Sequence, residues 1–115
     1  MSPHIPTWLI KEVRNRARDV CEYCLLPQVS QEATFHIDHI IPRIERGETS
    51  AANLALACVT CSLRKGARMF VIDPETKTTA RLFHPREEKW SDHFRWNDGF
   101  EYEGLSKTGN AIIFA

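Results

Sequence analysis

The sequence predicts an α+β domain, and three observations carry that expectation. Four cysteines fall in two pairs, "CEYC" (Cys21, Cys24) and "CVTC" (Cys58, Cys61). Between the pairs lies a β-branched, apolar run, "FHIDHII", and before them runs an apolar stripe at helical spacing. At 115 residues the chain is expected to form one domain, 1–115, with a modest core. Hydrophobic content of 43% and charged content of 26% are those of a folded chain and argue against disorder.

The elements follow in order. "PTWLIKEVRNRARDV" reads as a helix, with Pro6 and Thr7 at its start and Leu9, Val13, Ala17 and Val20 along one stripe. Arg14, Arg16 and Arg18 lie mostly off that stripe, where a solvated face and a phosphate-contacting face look alike. "LLPQVSQEAT" reads as a loop, "FHIDHII" as a strand that Pro42 ends, and "RIERGETS" as a turn-rich loop. "AANLALAC" suits either a helix or a short buried strand after one turn, and "SLRKGARM" a short basic helix that Gly66 weakens. Beyond it, "MFVIDPETKTTARLF" reads as a hairpin turning at Asp73-Pro74. "FRWNDGFEYEGL" reads as a second hairpin, tipped by Asn97-Asp98-Gly99. The closing "LSKTGNAIIFA" could be helix or strand.

A two-residue gap lets both thiolates of a pair reach one ion, and two pairs complete a tetrahedral Zn²⁺ shell. Residues 25–57 separate the pairs, more than a simple zinc ribbon needs, so an inserted unit is expected. Two disulfides compete with this reading but suit a reducing compartment poorly. No βαβ pattern surrounds either pair, which argues against a thioredoxin-like redox centre. A four-thiolate site has no open coordination position, so its zinc serves folding, not catalysis. No apolar run approaches the roughly 20 residues of a membrane span, and "MSPHIPTW" lacks a signal peptide's apolar core. A soluble, cytoplasmic protein without a membrane partner is expected. Net charge is zero, so composition makes no general case for nucleic acid.

Together, "CEYC", "DHIIPR", a glycine-containing loop, "NL", "CVTC" and a following basic helix resemble the HNH endonucleases of the ββα-metal (His-Me finger) fold. The match runs from Cys21 to Lys65, about two-fifths of the chain. "RDVCEYCLLPQ", "FHIDHIIPR", "NLALACVTC" and a tail like "LFHPREEKWSDHFRW" further resemble a compact bacterial branch of that family. The resemblance implies a zinc-stabilised core over about 21–68 and a hairpin-rich accessory segment over about 69–115. It implies DNA as substrate, His39 as general base, and Asp38 as ligand to a catalytic Mg²⁺ or Mn²⁺. Asn53 would brace the loop and orient the histidine. Arg64, Lys65 and Arg68, with Arg43 beside the strand, would contact nucleic-acid phosphates, Lys65 foremost.

Two points stay open in the sequence. Strict alternation puts His36 and Asp38 on one strand face and His39 on the other, so His36 is a rival ligand or a rival catalytic histidine. Ser62 stands where the family usually has Asn or His as second metal ligand; either it ligates weakly, His36 substitutes, or catalysis is impaired. A metal-dependent nuclease and a zinc-stabilised nucleic-acid-binding module with weak or lost catalysis therefore remain the two readings. Oligomeric state has no signal in the sequence.

Overall fold

The computed structural model describes residues 5–72, 76–96, 102–105 and 108. Helix α1 spans Thr7–Ala17, entered from Pro6, whose ring fixes φ near the helical value. Leu9 and Val13 of the expected stripe are buried, whereas Ala17 and Val20 are half-buried at its end. The helix stops before the predicted Val20 because Arg18 and Asp19 take left-handed φ values of 55° and 53°. Their amides return to the carbonyls of Asn15 and Arg14, closing the last turn.

The ambiguous "AANLALAC" resolves as one 3₁₀ turn, Ala51–Asn53, followed by strand β2, Leu54–Ala57. Strand β1, His36–His39, pairs antiparallel with it, Asp38 opposite Ala55 and His39 opposite Leu54. All four β2 residues are buried, as expected of a strand covered on both faces; α1 and helix α2 (Val59–Lys65) both pack on it. The order β1, β2, α2 is an α+β core compatible with the ββα fold. Gly66, φ 55°, stands at the C-terminal end of α2 and donates its amide to the Ser62 carbonyl, so it terminates the helix and does not interrupt it.

Two arginines of α1 reach across to the core strands, while Lys11 and Arg18 are exposed. Arg14 donates to the Phe35 carbonyl at 2.9 Å, and Arg16 donates to those of Ala51 and Leu54 at 2.7 and 2.6 Å. The helix is thus clipped to the entrances of both core strands. The first cysteine pair covers the other edge of β2: Glu22 N donates to Leu56 O, and Leu56 N donates to the Glu22 carboxylate, both at 2.8 Å. An exposed strand edge is thereby paired.

Both expected hairpins are present as separate two-stranded sheets, β3 (Phe70–Ile72) with β4 (Thr79–Arg81) and β5 (Phe94–Trp96) with β6 (Tyr102–Gly104). Both turn assignments, Asp73-Pro74 and Asn97-Asp98-Gly99, lie outside the described residues, as does nearly all of "LSKTGNAIIFA". A short helix that the sequence reading did not anticipate, α3 (Trp90–His93), connects the hairpins. From this layer, Phe83 meets Tyr23 edge-on and Phe94 at 5.3 Å, Trp90 stacks on Phe94, and the Trp90 indole donates to the Tyr23 carbonyl at 2.9 Å. Arg86 pairs with Glu22. The accessory layer therefore grips the first cysteine pair. No helix among the described residues is long and apolar enough to cross a membrane.

Candidate metal centre and active-site cleft

The sulfurs of Cys21, Cys24, Cys58 and Cys61, 37 residues apart in sequence between equivalent members, converge within 4.8 Å of one another and are buried. None is in a disulfide. Tetrahedral zinc with Zn–S near 2.3 Å requires S···S separations of about 3.8 Å, and Cys24 and Cys58 lie 3.7 Å apart. The second pair sits at the start of α2, where the Cys58 sulfur accepts from the Cys61 amide at 3.4 Å and so caps the helix. Hydrogen bonds among the four drive the Cys58 thiol down, chiefly through Cys21, and the Cys24 and Cys61 thiols up, again chiefly through Cys21. Four ionisable sulfurs this close are a set that a divalent cation binds as thiolates. The donor set and spacing fit zinc.

Near this centre, strand β1 and helix α2 form the walls of an open cleft of about 380 Å³. His36, Asp38, His39, Pro42, Arg43 and Ser62 all line it. The alternation that would separate His39 from Asp38 does not do so, because β1 ends at His39 and the chain bends there. His36 stands at the exposed end, its Nδ1 2.9 Å from the Ser62 hydroxyl. The two rival ligands are therefore neighbours across the β1–α2 groove. Among the described residues, the four cysteines form the group of three or more His, Cys, Asp or Glu whose ligand atoms converge; the cleft offers a looser set of one carboxylate, two imidazoles and one hydroxyl. One or two carboxylates completed by water and substrate oxygens is what Mg²⁺ or Mn²⁺ accepts, so these residues fit such an ion.

Asp38 is braced from inside. Its Oδ2 accepts from the Tyr23 hydroxyl at 2.6 Å and lies 3.3 Å from the Lys65 ammonium. Burial pushes the carboxyl above its ordinary range, against the opposing pull of Lys65 and of the Tyr23 hydrogen bond. Burial likewise raises the Tyr23 phenol well above its ordinary value, with Asp38 adding to it, so the hydroxyl stays a donor. Lys65, expected at the phosphate surface, is only 1% exposed and donates to the His39 carbonyl at 3.0 Å. Its charge is used within the fold. Arg68 folds back on the carbonyls of Lys65 and Arg64 at the end of α2, and Arg64 is half-buried. Arg43 is exposed on the cleft rim.

His39 is half-buried, with Nε2 2.9 Å from the Thr49 hydroxyl. Burial lowers its imidazole from the ordinary value; Asp38 opposes this, and Arg43 and Lys65 reinforce it. A neutral ring with one nitrogen tethered has the other for a cleft water. The loop carrying Thr49 is held by Asn53, which is buried. Its Oδ1 accepts from the Ile41 amide at 2.8 Å, and its Nδ2 donates to the carbonyls of Ile41 and Glu48 at 3.0 and 2.8 Å. Gly47 completes the turn: a Cβ there would lie 1.7 Å from the Ile41 carbonyl oxygen, so no other residue fits without moving the strand end.

Two participants were missed in the sequence, Tyr23 and Thr49. Tyr23 stands inside "CEYC", where a large aromatic between two ligands could have signalled a wall shared with the next layer. Thr49, in the polar loop "GETS", carries no such signal.

Comparison with known proteins agrees with the reading of this region. A family model described as HNH endonuclease matches residues 21–68, the segment that holds all four cysteines and the cleft. A search of the curated proteins and a search of the solved structures found no match. The family match supports a nucleic-acid-related function of the nuclease family.

Proposed function

We propose that this protein is a metal-dependent endonuclease that hydrolyses phosphodiester bonds in DNA, with structural zinc on Cys21, Cys24, Cys58 and Cys61. One observation carries the reading: a histidine of lowered basicity and a braced carboxylate share one open cleft, within the segment that matches the HNH family. Asp38 Oδ1, with His36 and Ser62 across the groove, would hold Mg²⁺ or Mn²⁺. When bound, such an ion supplies charge neutralisation at the phosphoryl and leaving oxygens. His39 donates Nε2–H to the Thr49 hydroxyl and accepts a water proton on Nδ1 as the water oxygen attacks phosphorus and the bond to the leaving sugar oxygen breaks. Asn53 and Gly47 keep the Thr49 loop against the strand end, and Arg43 meets a substrate phosphate on the rim. Arg64 and Arg68 remain candidates for phosphates farther along α2. Lys65 is an internal brace in this reading, not a substrate contact.

We further propose that residues 1–115 act as one domain, its accessory segment 69–115 gripping the zinc end, and that the free thiols belong to a reducing, cytoplasmic setting.

The second reading, a nucleic-acid-binding module with weak or lost catalysis, is favoured by Ser62, whose hydroxyl is a poorer ligand than the family's Asn or His. Incubating supercoiled plasmid with purified protein, with and without Mg²⁺ or Mn²⁺, separates the two. The nuclease reading expects metal-dependent nicking that falls about 10²–10⁴-fold in His39→Ala, with folding and DNA binding retained. Asp38→Ala is expected to lose at least as much, and Ser62→Asn to keep or raise the rate. DNA binding without cleavage under any of these metals would establish the second reading, and a fully active His39→Ala would remove His39 as the base.

A further inference from the structure

Tyr23 joins the two metal regions in a way that neither the family match nor the cysteine spacing announces. It lies between the two cysteines of the first pair, fully buried, yet its hydroxyl reaches the cleft carboxylate at 2.6 Å. The ring has little freedom to shift. Phe83 abuts it edge-on at 6.5 Å, the Trp90 indole holds its carbonyl, and the preceding residue is laced to β2 through Leu56. The Tyr23 and Lys65 contacts of Asp38 both fall on Oδ2, so Oδ1 carries neither of them, and Asp38 lines the cleft. Partners that orient a ligating carboxylate in this manner commonly affect metal affinity 10–100-fold.

We propose that Tyr23 is a positioning residue, transmitting the rigidity of the cysteine-bound end of the fold to Asp38 so that Oδ1 faces the cleft. The inference rests on the nuclease reading, because it gives Asp38 the role of cation ligand. The rival role is that of a core aromatic whose hydroxyl merely needed a partner.

Tyr23→Phe keeps the ring and its contact with Phe83 while removing the hydrogen bond. The measurement is Mn²⁺ uptake by the zinc-loaded protein, followed by electron paramagnetic resonance of free Mn²⁺, beside zinc content and far-ultraviolet circular dichroism. The expected result is about tenfold or greater weakening of Mn²⁺ binding with zinc content and fold at wild-type values. In an Asp38→Asn background, adding Tyr23→Phe should change Mn²⁺ binding no further. A second variant carrying 4-aminophenylalanine at position 23 restores an N–H donor and should bind Mn²⁺ within about threefold of wild type, by the same reasoning.

Equal Mn²⁺ affinity in wild type and Tyr23→Phe overturns the inference alone. So does loss of zinc or fold in Tyr23→Phe, which would make the hydrogen bond a stability contact, and so does loss of binding in the aminophenylalanine variant. A wild-type protein that neither takes up Mn²⁺ nor nicks plasmid removes the nuclease reading and the inference with it.

Discussion

Replacing Lys65 by methionine separates an internal brace from a phosphate contact, and the structure sets the size of the effect. The methionine keeps most of the aliphatic stem, so the change is chiefly the loss of an ammonium group that is 3.3 Å from Asp38 Oδ2 and 3.0 Å from the His39 carbonyl. Removing one partner of a buried pair costs about 3–5 kcal/mol, because the other charge is left uncompensated. Asp38 retains the Tyr23 hydroxyl, which favours the lower end, about 3 kcal/mol. For a chain of this size that lowers the melting midpoint by about 10–15 °C. It would remove a large share of a total stability of about 5–15 kcal/mol. Urea and thermal unfolding of zinc-saturated protein measure the loss. DNA binding by fluorescence anisotropy over a range of salt concentrations measures the alternative, since each phosphate contact adds about 0.9 to the salt slope. The brace predicts a destabilised variant whose slope is unchanged at temperatures where it is folded, whereas Arg43→Ala should flatten the slope by about one contact. A Lys65→Met protein that keeps its stability within about 1 kcal/mol and loses one unit of salt slope would refute this reasoning and return Lys65 to the interface.

Two further outcomes follow from the metal centre and the cleft histidine. Purified protein should contain one zinc per chain with Zn–S distances of about 2.3 Å by X-ray absorption, and Cys58→Ala or chelation should unfold it, since structural zinc contributes on the order of 10 kcal/mol; a folded, zinc-free protein would contradict the assignment. Burial lowers the His39 pKa below its ordinary 6.5, so the unfolded chain binds that proton more readily: the linked stability is present above about pH 6.5 and is lost as pH falls through the folded-state value. The acid limb of the cleavage rate should accordingly have its midpoint below about 6.5, and a limb centred above pH 7 would count against a neutral, partly desolvated base.

What the sequence determined by itself was whatever depends on short spacing. Two residues between cysteines dictate a chelating pair, the β-branched run around Asp38 and His39 dictates a strand, and the leucine and valine stripe dictates α1. The α+β class and the hairpins of the accessory segment were legible for the same reason. The choice between helix and strand for "AANLALAC" was not, because an all-apolar run lacks periodicity, and only burial between α1 and α2 selected the strand. Charge misled in a similar way. Arg14, Arg16 and Lys65 read as surface cations, yet each reaches a carbonyl 21 to 38 residues away, and Lys65 also neutralises Asp38. Tyr23 meets Asp38 across 15 residues and Trp90 across 67. A buried polar group must find its partner wherever packing brings one, and chain proximity says nothing about which partner that is. The residue types of the cysteine cluster and of the cleft were thus written in the sequence, while the contacts that hold Asp38, Lys65 and the α1 arginines were decided by the tertiary structure.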